Sequence, residues 1–503
     1  MTIFGITLNR YSLPILYLAC AIIGFLLVRE SVYMFQHPIA SRAITILLGI
    51  GFVFLSLPAV YKNPVSLPLK ASILIVGWLS WTLLSTLLGD QPWPAMMRWF
   101  ELLISISMAF CLYIIISQQP QLINLILKAI IAAIALSLLA FIVYWNLVDD
   151  PIKHNWVSDI PLYINIRHFG YLAAISVPIG HWFLHQQSEQ HLPGSNNSSH
   201  SNKNTYIILS YLILSWTLIF WLGGRGAFLA ALTTSILYGF IERSHIKWIL
   251  FTAIAGLGLS LFFIVDNPSL NLFRHFGQQE VSLNTYSSSR IVIYTDSLIH
   301  WWQHSPIFGI GADGFRYIIP AIGNQEGIAH PHSSIIQLIL SYGLVGLLIP
   351  CYFFFVLSWK VVKSNQKTMT TVYLILLSTL ILSIVDGVLY HAYGLFISSI
   401  IAGICTALVY PQQSSLQTVA IKKTRILPTV LLVLGAITTF IYTSVFIFQL
   451  YHSKHGKPDT QWINWNAKYP IYFSSSWTYD RYNSENFEEI KQRYLERASD
   501  APN

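Results

Sequence analysis

The stretch His330-Pro-His-Ser-Ser-Ile-Ile-Gln-Leu-Ile-Leu-Ser-Tyr-Gly-Leu-Val-Gly346 opens an apolar run that continues to Trp359. A run of this length crosses the ~30 Å hydrocarbon core of a bilayer as a helix, which puts both histidines at a membrane entrance. Pro331 fixes its own backbone and disfavours helix in the residue before it. This predicts His330 in the preceding loop and His332 at the helix start, the more rigidly held of the two. Imidazole titrates near neutral pH, so it suits proton transfer, and a helix N-terminus favours its neutral, basic form. One histidine here would read as an amphipathic anchor. Two, on the same membrane face as the arginines described below, point to chemistry.

The whole chain supports that frame. Of 503 residues, 54% are hydrophobic and only 10% charged, with mean hydropathy +0.56. Soluble proteins carry about a quarter charged residues, so the composition excludes a soluble enzyme. The formal charge of +8 does not indicate nucleic acid, because basic residues in short cytoplasmic loops are what membrane orientation requires. Cys20, Cys111, Cys351 and Cys405 all fall in apolar runs without metal spacing, and are expected as small buried thiols.

Runs long enough to span lie near 11–28, 43–60, 71–88, 99–117, 121–144, 168–185, 205–222, 226–241, 247–265, 334–358, 371–388, 392–410 and 427–449. The fold class is therefore an all-α polytopic membrane protein of about 12–13 transmembrane helices, with one large outer loop over 266–333. The first run lacks a small-residue cleavage site and does not read as a signal peptide. With the N-terminus inside, twelve Lys and Arg occupy short inner loops and six (Arg29, Arg42, Arg98, Lys153, Arg167 and Arg225) the outer ones. This places the 266–333 loop and the 451–503 tail in the periplasm, and residues 1–450 form the transmembrane domain.

The polar stretch 186–204 reads as a flexible inner loop. In the outer loop, 287–304 reads as a helix placed on the membrane surface, with Arg290, Tyr294, Ser297 and Trp301 on one face. Gly309, Gly311 and Gly314 satisfy GxGxxG, but no βαβ unit surrounds them, so they read as a tight turn. In the tail, 484–498 reads as a short amphipathic helix.

Ionisable groups at membrane depth are costly and point to function. Arg225 lies in Gly223-Gly-Arg-Gly226 between two apolar runs, Arg167 at the outer end of the sixth run, and Arg290 in the outer loop. Three guanidinium groups on one face suit an anion with several oxygens, since each offers a bidentate fork. Asp386 is the carboxylate deep in the last third, fitted to orient a histidine or neutralise an arginine.

Gly-Gly-Arg225-Gly, Ser289-Arg290, His304-Ser-Pro-Ile-Phe-Gly-Ile-Gly311 and His330-Pro-His332-Ser-Ser-Ile-Ile-Gln337 with Gly343-Leu-Val-Gly346, in this order, resemble the O-antigen ligase and polymerase superfamily of bacterial envelope glycosyltransferases. The resemblance covers roughly 165–350. It implies a GT-C-like, metal-independent, inverting glycosyltransferase of the bacterial inner membrane that needs no cofactor. Its donor would be an undecaprenyl-pyrophosphate-linked glycan and its acceptor lipid A core or protein, among membrane lipids and without nucleic acid. By the same resemblance Arg225, Arg290 and Arg167 would hold the pyrophosphate, and His332, with His330 as its rival, would serve the acceptor hydroxyl. Asp386, Tyr294, Ser333 and Gln337 would support them. The ligase reading, acceptor lipid A core, leads. Protein O-oligosaccharyltransferase, suggested by Asn165-Ile-Arg167-His-Phe, and glycan polymerase are the alternatives. A lipid-linked oligosaccharide transporter is the alternative from another class, weakened by the absence of an internal repeat.

Overall fold

The structure is a computed structural model describing residues 2–3, 6–7, 9–28, 38–62, 68–89, 92–147, 166–189, 198–264, 290–312, 314–315, 330–364 and 366–410. Its helices, in chain order, are α1 (Ser12–Val28), α2 (Pro38–Lys62), α3 (Leu69–Leu88), α4 (Pro92–Gln118), α5 (Ile123–Leu147), α6 (Ile166–Glu189) and α7 (Ser198–Trp221). They continue as α8 (Arg225–Ile241), α9 (Ile246–Ile264), α10 (Arg290–His304), α11 (Ser334–Val362), α12 (Lys367–Asp386) and α13 (Ala392–Val409). Thr2–Ile3 and Ile6–Thr7 pair as a minimal antiparallel hairpin. Eight of these helices are long and apolar enough to cross a membrane, and α1, α8 and α13 are shorter apolar ones. The protein is an all-α polytopic membrane protein.

Twelve of the expected runs correspond to α1–α9 and α11–α13. The thirteenth, 427–449, lies outside the described residues, as do the tail with its 484–498 helix and the outer-loop segments 265–289 and 316–329. The polar stretch 186–204 is shorter as a connection than expected, because α7 already starts at Ser198.

At the centre stands α6, in which every residue from 169 to 182 is buried. It packs against α7, α8 and α12. A helix enclosed by protein can carry His181 and His185 where a lipid-facing one cannot. Close crossings elsewhere use small residues: a Cβ on Gly403 of α13 would stand 2.5 Å from the Ala109 carbonyl oxygen of α4, and one on Gly256 of α9 would stand 2.5 Å from Trp216 Cβ of α7. The outer surface is apolar, with Phe54, Phe240, Ile254 and Phe355 exposed as a lipid-facing surface requires. Cys111 and Cys405 are buried, but Cys20 and Cys351 lie on that outer face, where lipid accommodates a thiol as readily as the core does.

Three contacts set helix direction. Gly170 of α6 meets Leu222 and Ala227 at the start of α8, and Tyr238 Oη donates to the His181 carbonyl (3.4 Å), so α6 and α8 run the same way. Lys367 Nζ lies 2.9 Å from His185 Nε2, so α12 runs against them. One end of the bundle therefore gathers the starts of α6 and α8 and the end of α12. The opposite end carries a His185, His245, Glu242 and Lys367 cluster, with His185 Nδ1 2.6 Å from His245 Nε2.

The run expected as one helix over 334–358 is broken. Gly343 in α11 has φ 67° and ψ −167°, outside helical space. Leu344 N donates to the Pro306 carbonyl (3.1 Å) instead of to Leu340, while the Leu340 and Ser341 carbonyls accept from Ile310 N (2.7 Å) and Gly311 N (3.1 Å). The glycine turn after α10 thus satisfies the backbone groups freed by the break, as irregular backbone at membrane depth demands. Gly309 and Gly311 adopt φ of 77° and 87°, and a Cβ on Gly309 would stand 2.5 Å from the Leu340 carbonyl oxygen. The GxGxxG glycines serve this plug, which Ser85 of α3 clasps by donating to the Phe308 and Ser341 carbonyls. Segment 334–342, which follows the histidine loop, is thereby set off from the rest of α11. Alongside it, α10 buries Ile293 against Leu340 and keeps Ile291, Leu298 and Trp302 exposed.

Candidate functional site

Arg290 begins α10 and reaches the end of α12, where Nη1 donates to the Val385 carbonyl and Nη2 to Asp386 Oδ1. The Asp386 side chain is 5% exposed. Buried beside an arginine it escapes the penalty of an unpaired charge. Its second oxygen, Oδ2, lies against Gly226 in the first turn of α8, where helix-end N–H groups favour an anion. No side chain caps that helix, whose N-cap is Gly224. Arg225, half-buried, is the first residue of α8 and one position from this contact. Arg167 lies in the first turn of α6 at the same end of the bundle. Its side chain lies outside what the structure describes.

After Asp386 the chain turns through Gly387 in the left-handed region (φ 64°). A Cβ there would stand 3.1 Å from His330 Nδ1, so the residue that follows the arginine's partner touches the histidine loop. His330 is buried at 7% exposure. Its ring stacks on Tyr390 at 4.4 Å and 23°, with His391 edge-on at 5.1 Å. His332 N donates to His330 Nδ1 (3.2 Å). An amide can only donate, so Nδ1 accepts and the His330 proton resides on Nε2.

The rigidity expected from Pro331 is reversed. His332 does not begin the helix: Ser333 is the N-cap of α11, its Oγ accepting from Ile336 N, and His332 precedes it at φ 54°. A non-glycine residue in that region costs about 1–3 kcal/mol and persists only where its surroundings hold it. Here the holders are His330 Nδ1 and Tyr294 Oη, which donates to the His332 carbonyl (3.2 Å). Burial raises the Tyr294 hydroxyl pKa, against the lowering effect of Arg290, and this keeps it a donor. His330 is the packed ring and His332 the half-buried one, 4.5 Å away. Gln337 donates to Ser341 Oγ (3.1 Å) one turn further along α11 and braces that segment.

The structure thus joins Arg290, Asp386, Tyr294, His330 and His332 through a chain of direct contacts, with Ser333 next to His332 as the helix cap. It sets Arg225 beside the residue that meets Asp386, and places Arg167 only by its helix. Sequence reading missed what stands behind His330. Arg98 Cζ lies 4.1 Å from the Tyr390 ring centroid, and Arg98 Nη1 is 2.9 Å from Glu101 Oε2. Glu101 within an apolar run, three residues after a cation, was the available signal, as was the Tyr390-His391 pair between two apolar runs. Chemically, the site offers a cationic half at the arginines and an imidazole half at His332, joined by Asp386-Gly387.

Residues 210–351 match the family described as O-antigen ligase. A comparison with curated proteins finds no match. The matched segment carries Arg225, Arg290, His330 and His332, so over these residues the chain is similar to the O-antigen ligase family.

Proposed function

We propose that the protein transfers a glycan from an undecaprenyl-pyrophosphate carrier to an acceptor hydroxyl at the periplasmic face of the bacterial inner membrane, with lipid A core as acceptor. The match of residues 210–351 to the O-antigen ligase family supports an enzyme of glycosyltransferase type working on a lipid-linked glycan and an acceptor. The observation that carries the finer reading is the meeting of both halves at one turn: Asp386 holds Arg290 while Gly387 touches His330. Loop charge puts this end outside, and residues 1–450 form the transferase domain, with 451–503 as a periplasmic tail.

In this mechanism Arg225 and Arg290, with Arg167 at the rim, bind the pyrophosphate and stabilise the charge that grows as it leaves. Two of the five Arg290 N–H groups are engaged by Val385 and Asp386, which orients the remainder. His332 takes the proton from the acceptor hydroxyl as that oxygen bonds to the anomeric carbon. The carbon–oxygen bond to pyrophosphate breaks on the opposite face, the anomeric configuration inverts, and undecaprenyl pyrophosphate departs. The proton then passes from His332 to solvent. No metal or nucleotide sugar enters.

The test incubates the full chain in nanodiscs, with a chelator and no nucleotide, with a lipid-linked glycan and one of three acceptors: lipid A core, a pilin-like protein, or a second lipid-linked glycan. Glycan appearing on lipid A core is the expected result. Transfer only to protein or to lipid-linked glycan moves the assignment to the oligosaccharyltransferase or polymerase branch. Translocation without transfer overturns the enzyme reading.

A further inference from the structure

We propose that Arg98 and Glu101 of α4 are positioning residues for the histidine half of the site, acting on His332 through Tyr390 and His330. This inference rests on the transferase reading above, and α4 lies outside the segment 210–351 that carries the family match.

Every link is a contact. Arg98 Nη1 and Glu101 Oε2 stand 2.9 Å apart, with side-chain exposures of 12% and 5%. Burying such a pair usually costs more than its Coulomb attraction returns, and apolar residues of similar volume would serve packing as well. What they would not supply is a planar cation. The guanidinium lies 4.1 Å from the Tyr390 centroid, and Nη1 also reaches the Tyr390 carbonyl (3.4 Å). A guanidinium both stacks on aromatic faces and donates from its edge, which an ammonium does less well. His330 stacks on the same ring at 4.4 Å, so imidazole and guanidinium share one aromatic partner. Fixed there, His330 presents Nδ1 to the amide of His332 and holds that residue in its left-handed conformation. A strained residue at a reacting centre needs such over-determination, and this chain supplies it from a helix remote in sequence.

The test compares the full chain in nanodiscs with four variants. The double variant Arg98→Gln with Glu101→Gln removes both charges and keeps an amide pair. Arg98→Lys keeps the cation. Tyr390→Leu removes the intervening ring, and Tyr390→Phe keeps it. The double variant and Tyr390→Leu are expected to lose about tenfold or more in kcat with KM for the donor lipid unchanged, on the scale by which small misplacements lower rates. Tyr390→Phe, which keeps the ring, should stay within about threefold, and Arg98→Lys, which keeps the charge but loses the planar fork, should fall between the wild type and the double variant. A merely structural ion pair would lower the yield of folded protein and leave kcat per folded molecule unchanged. Wild-type kcat in either the double variant or Tyr390→Leu overturns the proposal. A readout independent of transfer is ¹⁵N-histidine NMR, in which His330 should hold the Nε2–H tautomer in the wild type and lose it in both disruptive variants. An unchanged tautomer also overturns the proposal. A wild type that transfers to no acceptor defeats the transferase reading instead, and the tautomer measurement still decides the positioning.

Discussion

Replacing Gly226 by alanine separates the geometry of the cationic half from its stability. A Cβ at this position would stand 2.6 Å from Asp386 Oδ2 and 2.8 Å from Val385 Cγ2, whereas ordinary contact begins at 3.4 Å. The carboxylate or the helix must therefore move by about 0.8 Å. Asp386 cannot rotate away alone, because its other oxygen and the neighbouring Val385 carbonyl both hold Arg290. Crowding of this kind costs about 1–3 kcal/mol. Alanine returns up to about 1 kcal/mol of helix propensity at the same position. The net loss of stability should be small, but displacing the guanidinium by a sizeable fraction of an ångström should lower the rate by about 10²-fold. The assay is initial transfer at saturating donor, with melting followed by tryptophan fluorescence. Gly224→Ala is the control from the same motif, since among the described residues its Cβ meets only Ala227 Cβ at 3.6 Å and should leave the rate near wild type. A Gly226→Ala enzyme within twofold of wild type would refute the idea that the Asp386 contact sets the position of Arg290.

Arg290→Lys and Arg225→Lys keep the charge but lose the bidentate fork, and each should lower transfer about tenfold or more at matched protein level. Full activity in both would reduce these residues to membrane anchors. His300 of α10 is held at a pKa of about 4, first by burial and then by the charge of His304 beside it. Unfolded histidine titrates near 6.5, so the unfolded chain takes up this proton first, and its contribution to stability, present above about pH 6.5, is lost as pH falls toward 4. The melting temperature of His300→Gln should therefore fall less between pH 7 and pH 4.5 than that of the wild type, and parallel curves would contradict this. Gly343→Ala would put a Cβ 1.8 Å from the Ile307 carbonyl oxygen at φ 67°. It should cost about 3–5 kcal/mol and show as loss of folded protein in detergent, whereas a normal yield would argue against the plugged break.

The helices were legible because each apolar run carries its own length and composition signal. The break in α11 was not, because Gly343-Leu-Val-Gly346 sits inside an apolar run and the groups that make the break stable come from residues 306–311. Arg225, Arg290 and Asp386 announced themselves as charges out of place. Their partnership did not, since Arg290 and Asp386 are 96 residues apart and only the fold brings them together. Pro331 correctly separated the two histidines yet assigned them the wrong rigidity, because a proline rule describes backbone while His332 is held by a side chain, His330 Nδ1. Arg98 passed as a loop cation because neither Tyr390 nor its stacking on His330 has a local pattern in sequence.

The most direct test of the proposed chemical centre is single-turnover transfer by His332 variants under conditions where donor binding is measured separately. If His332 is the base, His332→Ala should bind donor lipid normally and lose about 10²–10⁴ in rate, and His332→Gln, which hydrogen bonds but cannot take up a proton, should be equally slow. His330→Ala should lose less, because it removes a support and not the reacting group. A His332→Gln enzyme with near-normal turnover, or a His330→Ala enzyme slower than His332→Ala, would contradict the assignment of proton transfer to His332.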